Sequence, residues 1–278
     1  MSELHAVRRS GSGTCGAGSP TGDWRRPSRR ELAYRLVLRA IRVLLRICTR
    51  IHRAGLDNLP PDGPVIVAGN HCSVADGFVL VSSVACAGRR ARMMGTAGLF
   101  AAPVVGSLLR HAGFIPVHRR SVNPAAALAP ARAALAAGEC VGLYPGGAIT
   151  RHTDGWPARA RTGVVRLALD TGAPVVPLAQ WGTREFVGEE GARHRALWSP
   201  LTRPRIRVLV GRPIDLRAEL GVSSSTQASA AQLRAGADLV VDELCRALES
   251  LTEQERPSHA GRAENPAEDL APRRTHAA

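Results

Sequence analysis

Residues 64–76 read Pro-Val-Ile-Val-Ala-Gly-Asn-His-Cys-Ser-Val-Ala-Asp, an apolar run that stops at a histidine and is followed five positions later by an aspartate. The continuous apolar run 65–68 is typical of a strand that is covered on both faces. In sheets built from such strands, ligand-binding residues gather beyond the carboxyl ends of the strands. His71 and Asp76 come just after that end, so the pattern predicts a buried strand that leads into a functional site.

The spacing of His71 and Asp76 limits how they can interact. On a regular helix, residues five apart diverge by roughly 140°, so the two side chains meet only if residues 72–75 turn. A helix that begins near Asp76 supplies this turn and places the carboxylate near the helix N-terminus, where a negative charge is favoured. A paired imidazole can take a proton from a hydroxyl while the carboxylate fixes its tautomer. A loop histidine beside an unrelated helix-capping aspartate is the alternative, and the pair alone does not decide between them.

The sequence offers no obvious protein nucleophile for this histidine. Cys72 and Ser73 are its neighbours, but adjacent residues on extended backbone point apart. The hydroxyl of a substrate is therefore the better partner. The six cysteines show no C-x-x-C spacing, which argues against a zinc site or a disulfide framework and favours a reducing, cytosolic setting.

Composition and charge narrow the class of partner. The chain has 278 residues, of which 45% are hydrophobic, and a net charge of +14 carried only by arginine. Such a chain can bury a large core, and its charge predicts an anionic partner: nucleic acid, a membrane surface or a phosphorylated substrate. Aromatic residues make up only 4%, and the arginines follow a helical stripe rather than a groove-reading motif. We therefore expect no nucleic acid partner.

Residues 31–53 are predicted to form a basic amphipathic helix. Arginines recur at spacings of three and four along one stripe of it, at positions 35, 39, 42, 46, 50 and 53. Its longest apolar run is three residues, which is too short to cross a bilayer. The arginine stripe predicts contact with an anionic membrane surface. The alternative is a helix that packs on the core and exposes a solvated arginine face.

The remaining pattern predicts an α/β fold with a central, largely parallel sheet flanked by helices. Apolar strand-like runs alternate with helical segments between residues 64 and 251. Residues 1–30 and 256–278 are rich in small, polar and charged residues without apolar periodicity, so we expect both segments to be disordered. The folded domain is thus predicted to cover residues 31–255, and the strand order cannot be derived from the sequence.

Two further motifs lie in or after predicted strands. Gly113-Phe-Ile-Pro-Val-His-Arg119 is a strand-like run that ends on an arginine, and by itself such an end is most often a solvated strand edge. Tyr144-Pro145-Gly146-Gly147 follows the predicted strand 139–143. Glycines after a buried strand let backbone amides approach an anion closely, although a plain turn is an equally good interpretation.

Asn70-His71 with Asp76, then residues 113–119, then 144–147, then Val176-Pro177 occur in the order and spacing of the four sequence blocks of the glycerophospholipid acyltransferases. The chain resembles this family, which includes bacterial 1-acylglycerol-3-phosphate acyltransferases, over about residues 31 to 250. The resemblance implies that an acyl group passes from acyl-CoA or acyl carrier protein to the free hydroxyl of a lysophospholipid, with lysophosphatidate to phosphatidate the leading expectation. It also implies a peripheral location on the cytoplasmic face of the cell membrane.

The resemblance assigns roles to individual residues. His71 would be the general base and Asp76 its orienting partner. Arg119 would contact the acceptor's phosphate. The remaining residues predicted to bind substrate are Asn70, Tyr144, Pro145, Gly146, Gly147 and Arg151. A thioester is already activated, so neither a metal nor another cofactor is expected.

One block departs from the family pattern. The family's third block reads Phe-Pro-Glu-Gly-Thr, so this chain has Gly146 in place of the glutamate and Ala148 in place of the threonine. Either Arg151 or His152 takes part in a rearranged acceptor site, or activity is much reduced. A third possibility is that Glu139 or Asp154 compensates. A weakly active or inactive homologue that binds lysophospholipid or a partner protein is the alternative function.

Overall fold

A computed structural model describes residues 28–117, 126–149, 156–157, 159–187 and 200–253. The strands are β1 (Arg50–Ala54), β2 (Val65–Gly69), β3 (Ala91–Thr96), β4 (Ile115–Val117), β5 (Cys140–Leu143), β6 (Val175–Trp181) and β7 (Arg205–Val210). The α-helices are α1 (Arg29–Cys48), α2 (Asp76–Cys86), α3 (Pro103–His111), α4 (Ala129–Ala136), α5 (Gly163–Thr171), α6 (Thr183–Phe186), α7 (Leu216–Leu220) and α8 (Ala230–Glu253). Short 3₁₀ helices cover Leu56–Asn58, Ala97–Ala101 and Ala126–Leu128.

The strands form one seven-stranded sheet in the order β1-β7-β6-β2-β5-β3-β4. All pairs are parallel except β6 with β7, which run antiparallel. The prediction of an α/β fold with a largely parallel sheet is therefore confirmed. β2 lies at the centre between β5 and β6, so its carboxyl end, where His71 follows, opens in the middle of the sheet.

Both faces of β2 are buried, which explains its continuous apolar run. Val65 and Val67 pack into a core shared with α1 and α2. Ile66 and Ala68 pack into the core on the opposite face, together with α4, α5 and α8. All four side chains have no exposed surface. A polar residue at any of these positions would be left without water on either side, so the strand excludes them.

The amphipathic helix differs in its bounds from the predicted range 31–53. α1 begins at Arg29, where the Ser28 side chain caps it by accepting a hydrogen bond from the amide of Glu31. It ends at Cys48, because Thr49 is extended and residues 50–54 pair with β7 instead. The prediction of helix for residues 49–53 is wrong, since the arginine spacing continues across the boundary while the backbone does not.

α1 packs one face on the core against α2 and α3. The buried residues on this face recur every three or four positions, at Tyr34, Val37, Ile41, Leu45 and Cys48. A second set of apolar residues on α1 stays exposed to solvent. Within the described part of the chain, no helix combines the length and the hydropathy that crossing a membrane requires.

Several predictions fall on residues outside the described ranges. The segments predicted to be disordered lie outside these ranges, except for Ser28, Arg29 and Arg30, which belong to α1 or its cap. The predicted substrate contacts Arg119 and Arg151 also lie outside them.

Candidate active site

His71 and Asp76 meet beyond the carboxyl end of β2. The Nδ1 of His71 lies 3.0 Å from Oδ2 of Asp76. The side chain of Asp76 is fully buried, whereas that of His71 retains 16% of its exposure. Because Nδ1 faces the carboxylate, the tautomer that donates from Nδ1 leaves Nε2 as the basic nitrogen. The pair therefore has the arrangement of an oriented general base.

The turn between the two residues holds the carboxylate in place. Oδ2 of Asp76 also accepts hydrogen bonds from the amides of Cys72 and Ser73, at 2.6 and 2.7 Å. The amide of Asp76 in turn donates to the carbonyl of Ser73. Residues 72–75 turn as the spacing required, and Asp76 is the first residue of α2. The buried carboxylate is thus held by two amides at the favourable end of a helix.

Asn70 joins the ends of β2 and β6 beneath this pair. Its Nδ2 donates to the carbonyl of Gln180, and its Oδ1 accepts from the amide of Gln180. Asn70 is only 1% exposed. Asn70 was predicted to bind substrate, but its side chain is used in the structure to join β2 to β6 next to His71. Gln180 was not among the predicted site residues, although a polar residue that ends an apolar strand was a usable signal.

Tyr144 stacks on the imidazole of His71. The two rings are nearly parallel, at 7°, with centroids 4.0 Å apart. This contact arises because β5 lies directly beside β2 and both strands end at the same edge. Tyr144 was predicted to contact substrate, and the structure shows that its ring covers one face of the histidine. It therefore limits the rotation of the imidazole and shields it from water.

Burial at the site alters two acidic groups. Burial, reinforced by the Asp76 carboxylate, raises the pKa of Cys72 to about 12. Burial, followed by the same carboxylate, raises the pKa of Tyr144 well above its ordinary value, and a weaker interaction with Gln180 opposes that rise. Both groups stay protonated at neutral pH, so Cys72 is not a thiolate nucleophile.

Residues 144–147 form a tight turn at the mouth of the site. The amide of Gly147 donates to the carbonyl of Tyr144 at 2.9 Å, and Gly147 has a φ of 73°. This amide is therefore used within the turn, which favours the plain-turn interpretation at that position. Gly146 is exposed, and a β-carbon there would meet only the carbonyl of Arg159, at 3.6 Å. A β-carbon at position 146 is therefore in ordinary van der Waals contact and displaces no described atom.

Arg161 lies next to the same turn. Its amide donates to the carbonyl of Pro145, and a β-carbon added at Gly147 would lie 3.4 Å from its Nε. The side chain is exposed. The sequence alone did not indicate this cation, because Arg161 follows the third block by more than ten residues. The folded chain brings it next to the turn.

Glu139 does not compensate for the missing glutamate. It precedes β5, whereas the turn at 144–147 follows β5, so the two ends lie roughly 17 Å apart along the strand. Its carboxylate pairs with Arg92 at 2.6 Å instead. The suggestion that Glu139 compensates is therefore wrong, and Asp154 lies outside the described residues. No group of His, Cys, Asp or Glu within the described ranges is arranged to hold a metal ion.

Comparison with known proteins agrees with this geometry. The model of the Acyltransferase family matches residues 50–181. A 1-acyl-sn-glycerol-3-phosphate acyltransferase of Borreliella burgdorferi is 28% identical over 154 residues, which are 52% of this chain and 60% of that protein. The chloroplastic enzyme LPAT1 of Arabidopsis thaliana is 29% identical, over 59% of this chain and 44% of that protein. The chain thus spans less than two thirds of the length of either relative.

The fold is also similar to that of a solved acyltransferase structure. The crystal structure of the 1-acyl-sn-glycerophosphate acyltransferase PlsC from Thermotoga maritima superposes with a TM-score of 0.59 at 23% identity, covering 80% of this chain and 83% of that chain. The matched segment 50–181 contains β2, the His71–Asp76 pair and the turn after β5, which are the parts that build the site. The match to the Acyltransferase family model thus covers the segment that builds the site, and the likeness to PlsC shows that the two chains share a fold.

Proposed function

We propose that this protein transfers an acyl group from acyl-CoA or acyl carrier protein to the free hydroxyl of lysophosphatidate, giving phosphatidate. The observation that carries the proposal is the contact between His71 and a fully buried Asp76, at 3.0 Å. The names of the relatives support the choice of acceptor.

The reaction needs a base from the protein and a hydroxyl from the acceptor. Nε2 of His71 takes the proton of the acceptor hydroxyl as its oxygen attacks the thioester carbonyl. Asp76 stabilises the imidazolium that forms. When the tetrahedral intermediate collapses, the carbon–sulfur bond breaks and the thiolate recovers the proton from His71. The products are the ester and the free thiol, and no covalent enzyme intermediate is required.

The acceptor carries a phosphate that needs a cation near the site. The resemblance assigns this contact to Arg119, which lies outside the described residues. Among the described residues, Arg161 beside Gly147 is exposed and close to the turn that follows β5. An exposed guanidinium can hold a phosphate with two parallel hydrogen bonds, so we include Arg161 among the acceptor contacts.

A location on the cytoplasmic surface of the membrane is part of this proposal, because both the acceptor and the product are lipids. α1 supports it by exposing a second apolar stripe, roughly 150° around the helix from its buried face. Leu32, Leu36 and Ile47 in this stripe are 61, 57 and 54% exposed. Arg35 and Arg39 flank the stripe. A helix that is packed on one side and apolar on another fits an anionic bilayer surface better than bulk water.

The test is a mass-spectrometric assay of purified protein with lysophosphatidate and palmitoyl-CoA. Wild type should form phosphatidate, and His71→Ala should reduce turnover by at least about 10³-fold, because no other described side chain offers a base at this position. His71→Ala with full turnover would remove the basis of the proposal.

A second candidate function is a weakly active or inactive homologue that binds lysophospholipid or a partner protein. The exposed Gly146 favours it, because the turn lacks the carboxylate that the family carries there. This candidate predicts lysophosphatidate binding without product in wild type, and the appearance of product in Gly146→Glu. Turnover by wild type at a rate equal to that of Gly146→Glu would exclude it.

A further inference from the structure

A basic groove lies between the end of α1, the edge strand β1 and α2. It encloses about 560 Å³. Five arginines line it, and we call it the arginine groove: Arg42, Arg46, Arg50, Arg53 and Arg203. None of the described side chains that line it is acidic. A concave site of one charge sign concentrates ligands of the opposite sign, so the groove is built for a ligand with several negative charges.

Two of these arginines are fixed by the protein itself. Arg53 donates from Nε and Nη2 to the hydroxyls of Ser83 and Ser82 on α2. Arg203 donates to the carbonyls of Arg46 and Thr49 at the carboxyl end of α1. Arg203 has a φ of 42°, in the left-handed region that residues other than glycine rarely adopt. The chain thus holds the Arg53 and Arg203 side chains in a defined arrangement through hydroxyl and carbonyl acceptors.

The arginine groove lies on the same edge of the sheet as His71. Arg53 is in register with Val208 of β7, and Val208 is in register with Gln180 of β6. Gln180 in turn is bonded to Asn70, the residue before His71. Three strand spacings separate β1 from β2, which places the groove about 14 Å to the side of the base.

The groove residues on α1 lie at different angles from the exposed apolar stripe. Arg42 and Leu45 lie about 120° and 180° around the helix from Leu36, whereas Arg46 lies about 80° from it. A bilayer on the stripe would therefore come near Arg46 but not near Arg42, so the experiments include lipid vesicles as well as water-soluble phosphate ligands.

We propose that the arginine groove binds the phosphate groups of the coenzyme A portion of the acyl donor. This inference rests on the proposed acyl transfer from acyl-CoA. The pantetheine arm, with a backbone about as long as four extended residues, spans roughly 14 Å between thioester and phosphates. A thioester at His71 therefore places the phosphates at the groove, where guanidinium groups hold them through paired hydrogen bonds.

The first test measures binding of coenzyme A and of adenosine 3′,5′-bisphosphate by calorimetry. The groove variant is Arg46→Gln with Arg50→Gln, because both side chains are exposed and neither holds another element in place. The control is Arg166→Gln with Arg212→Gln, which removes the same charge from exposed positions outside the groove. The groove variant should bind both ligands about tenfold more weakly, and the control should bind them as wild type does.

The second test compares initial rates with palmitoyl-CoA and with S-palmitoyl-pantetheine, which has the thioester but no phosphate. The groove variant should raise KM about tenfold for the coenzyme ester alone. Unchanged coenzyme A affinity in the groove variant overturns the inference. So does a loss confined to phosphatidylglycerol vesicles or to acyl carrier protein. Groove-dependent binding in a wild type without turnover would support the inference and refute acyl transfer, so the two failures are distinguishable.

Discussion

Asp76→Asn tests whether the buried carboxylate orients and stabilises His71. The replacement keeps the shape of the side chain and an oxygen that can accept from the amides of Cys72 and Ser73, but it removes the negative charge beside the imidazole. With charge centres about 4 Å apart and an effective dielectric constant near 20, the lost attraction to the imidazolium is about 4 kcal/mol. Since each 1.4 kcal/mol is tenfold in rate, kcat should fall roughly 10³-fold.

The assay is the initial rate of phosphatidate formation, with thermal unfolding measured on the same preparations. Asp170→Asn is a matched control. Asp170 accepts hydrogen bonds from Ser225 and Arg132, and its side chain is 16% exposed. Both variants should lose about 1 to 3 kcal/mol of stability, but Asp170→Asn should keep kcat within about twofold. Asp76→Asn with more than a tenth of the wild-type kcat would refute the orienting role.

Three further predictions concern other parts of the molecule. Tyr144→Phe keeps the stacked ring and removes a buried hydroxyl that makes no hydrogen bond of normal geometry with a described residue. The free energy of unfolding should therefore stay unchanged or rise by about 1 kcal/mol. Tyr144→Ala removes the ring, so it should lose about 3 kcal/mol of stability and lower kcat at least tenfold. Leu36→Ser should weaken binding to phosphatidylglycerol vesicles about tenfold in a sedimentation assay, while Leu201→Ser, also at an exposed leucine, should not. Burial raises the pKa of Asp170, but hydrogen bonds from Ser225 and other contacts outweigh burial and leave the pKa below its ordinary value. The stability that Asp170 contributes should therefore be full above about pH 5 and fall as the pH drops below about 4. Acid unfolding of wild type compared with Asp170→Asn measures this dependence.

Local patterns in the sequence predict the centre of the site well. The apolar run of β2 indicates a strand buried on both faces, and the spacing of His71 and Asp76 requires the turn that the structure contains. These features depend on neighbouring residues, so the sequence carries them directly. The limit of such reasoning appears at residues 49–53, where the arginine spacing continues but pairing with β7 imposes a strand. Periodicity cannot detect a partner strand that lies more than 150 residues away.

The rest of the site depends on contacts between strands that are distant in sequence. Tyr144 reaches His71 because β5 pairs with β2, and Gln180 reaches Asn70 because β6 does. Glu139 illustrates the converse: it is five residues from Tyr144 in sequence but lies at the opposite end of the same strand. Strand direction, rather than sequence distance, decides which side chains share an edge, and the strand order was not derivable from the sequence.

The replacement of the family's glutamate by Gly146 is expected to be mild for stability and informative for function. A buried cation without its partner would cost several kcal/mol, but Arg161, the cation beside the turn, is exposed and remains solvated. Gly146→Glu should therefore change the free energy of unfolding by less than about 1 kcal/mol, since a β-carbon there displaces no described atom and a surface ion pair contributes little. Its effect should appear in the acceptor instead. If Arg161 binds the phosphate, Arg161→Gln should raise KM for lysophosphatidate about tenfold without changing KM for palmitoyl-CoA. An unchanged acceptor KM in Arg161→Gln would show that the phosphate is held elsewhere, and the turn would then serve only to carry Tyr144 to the histidine.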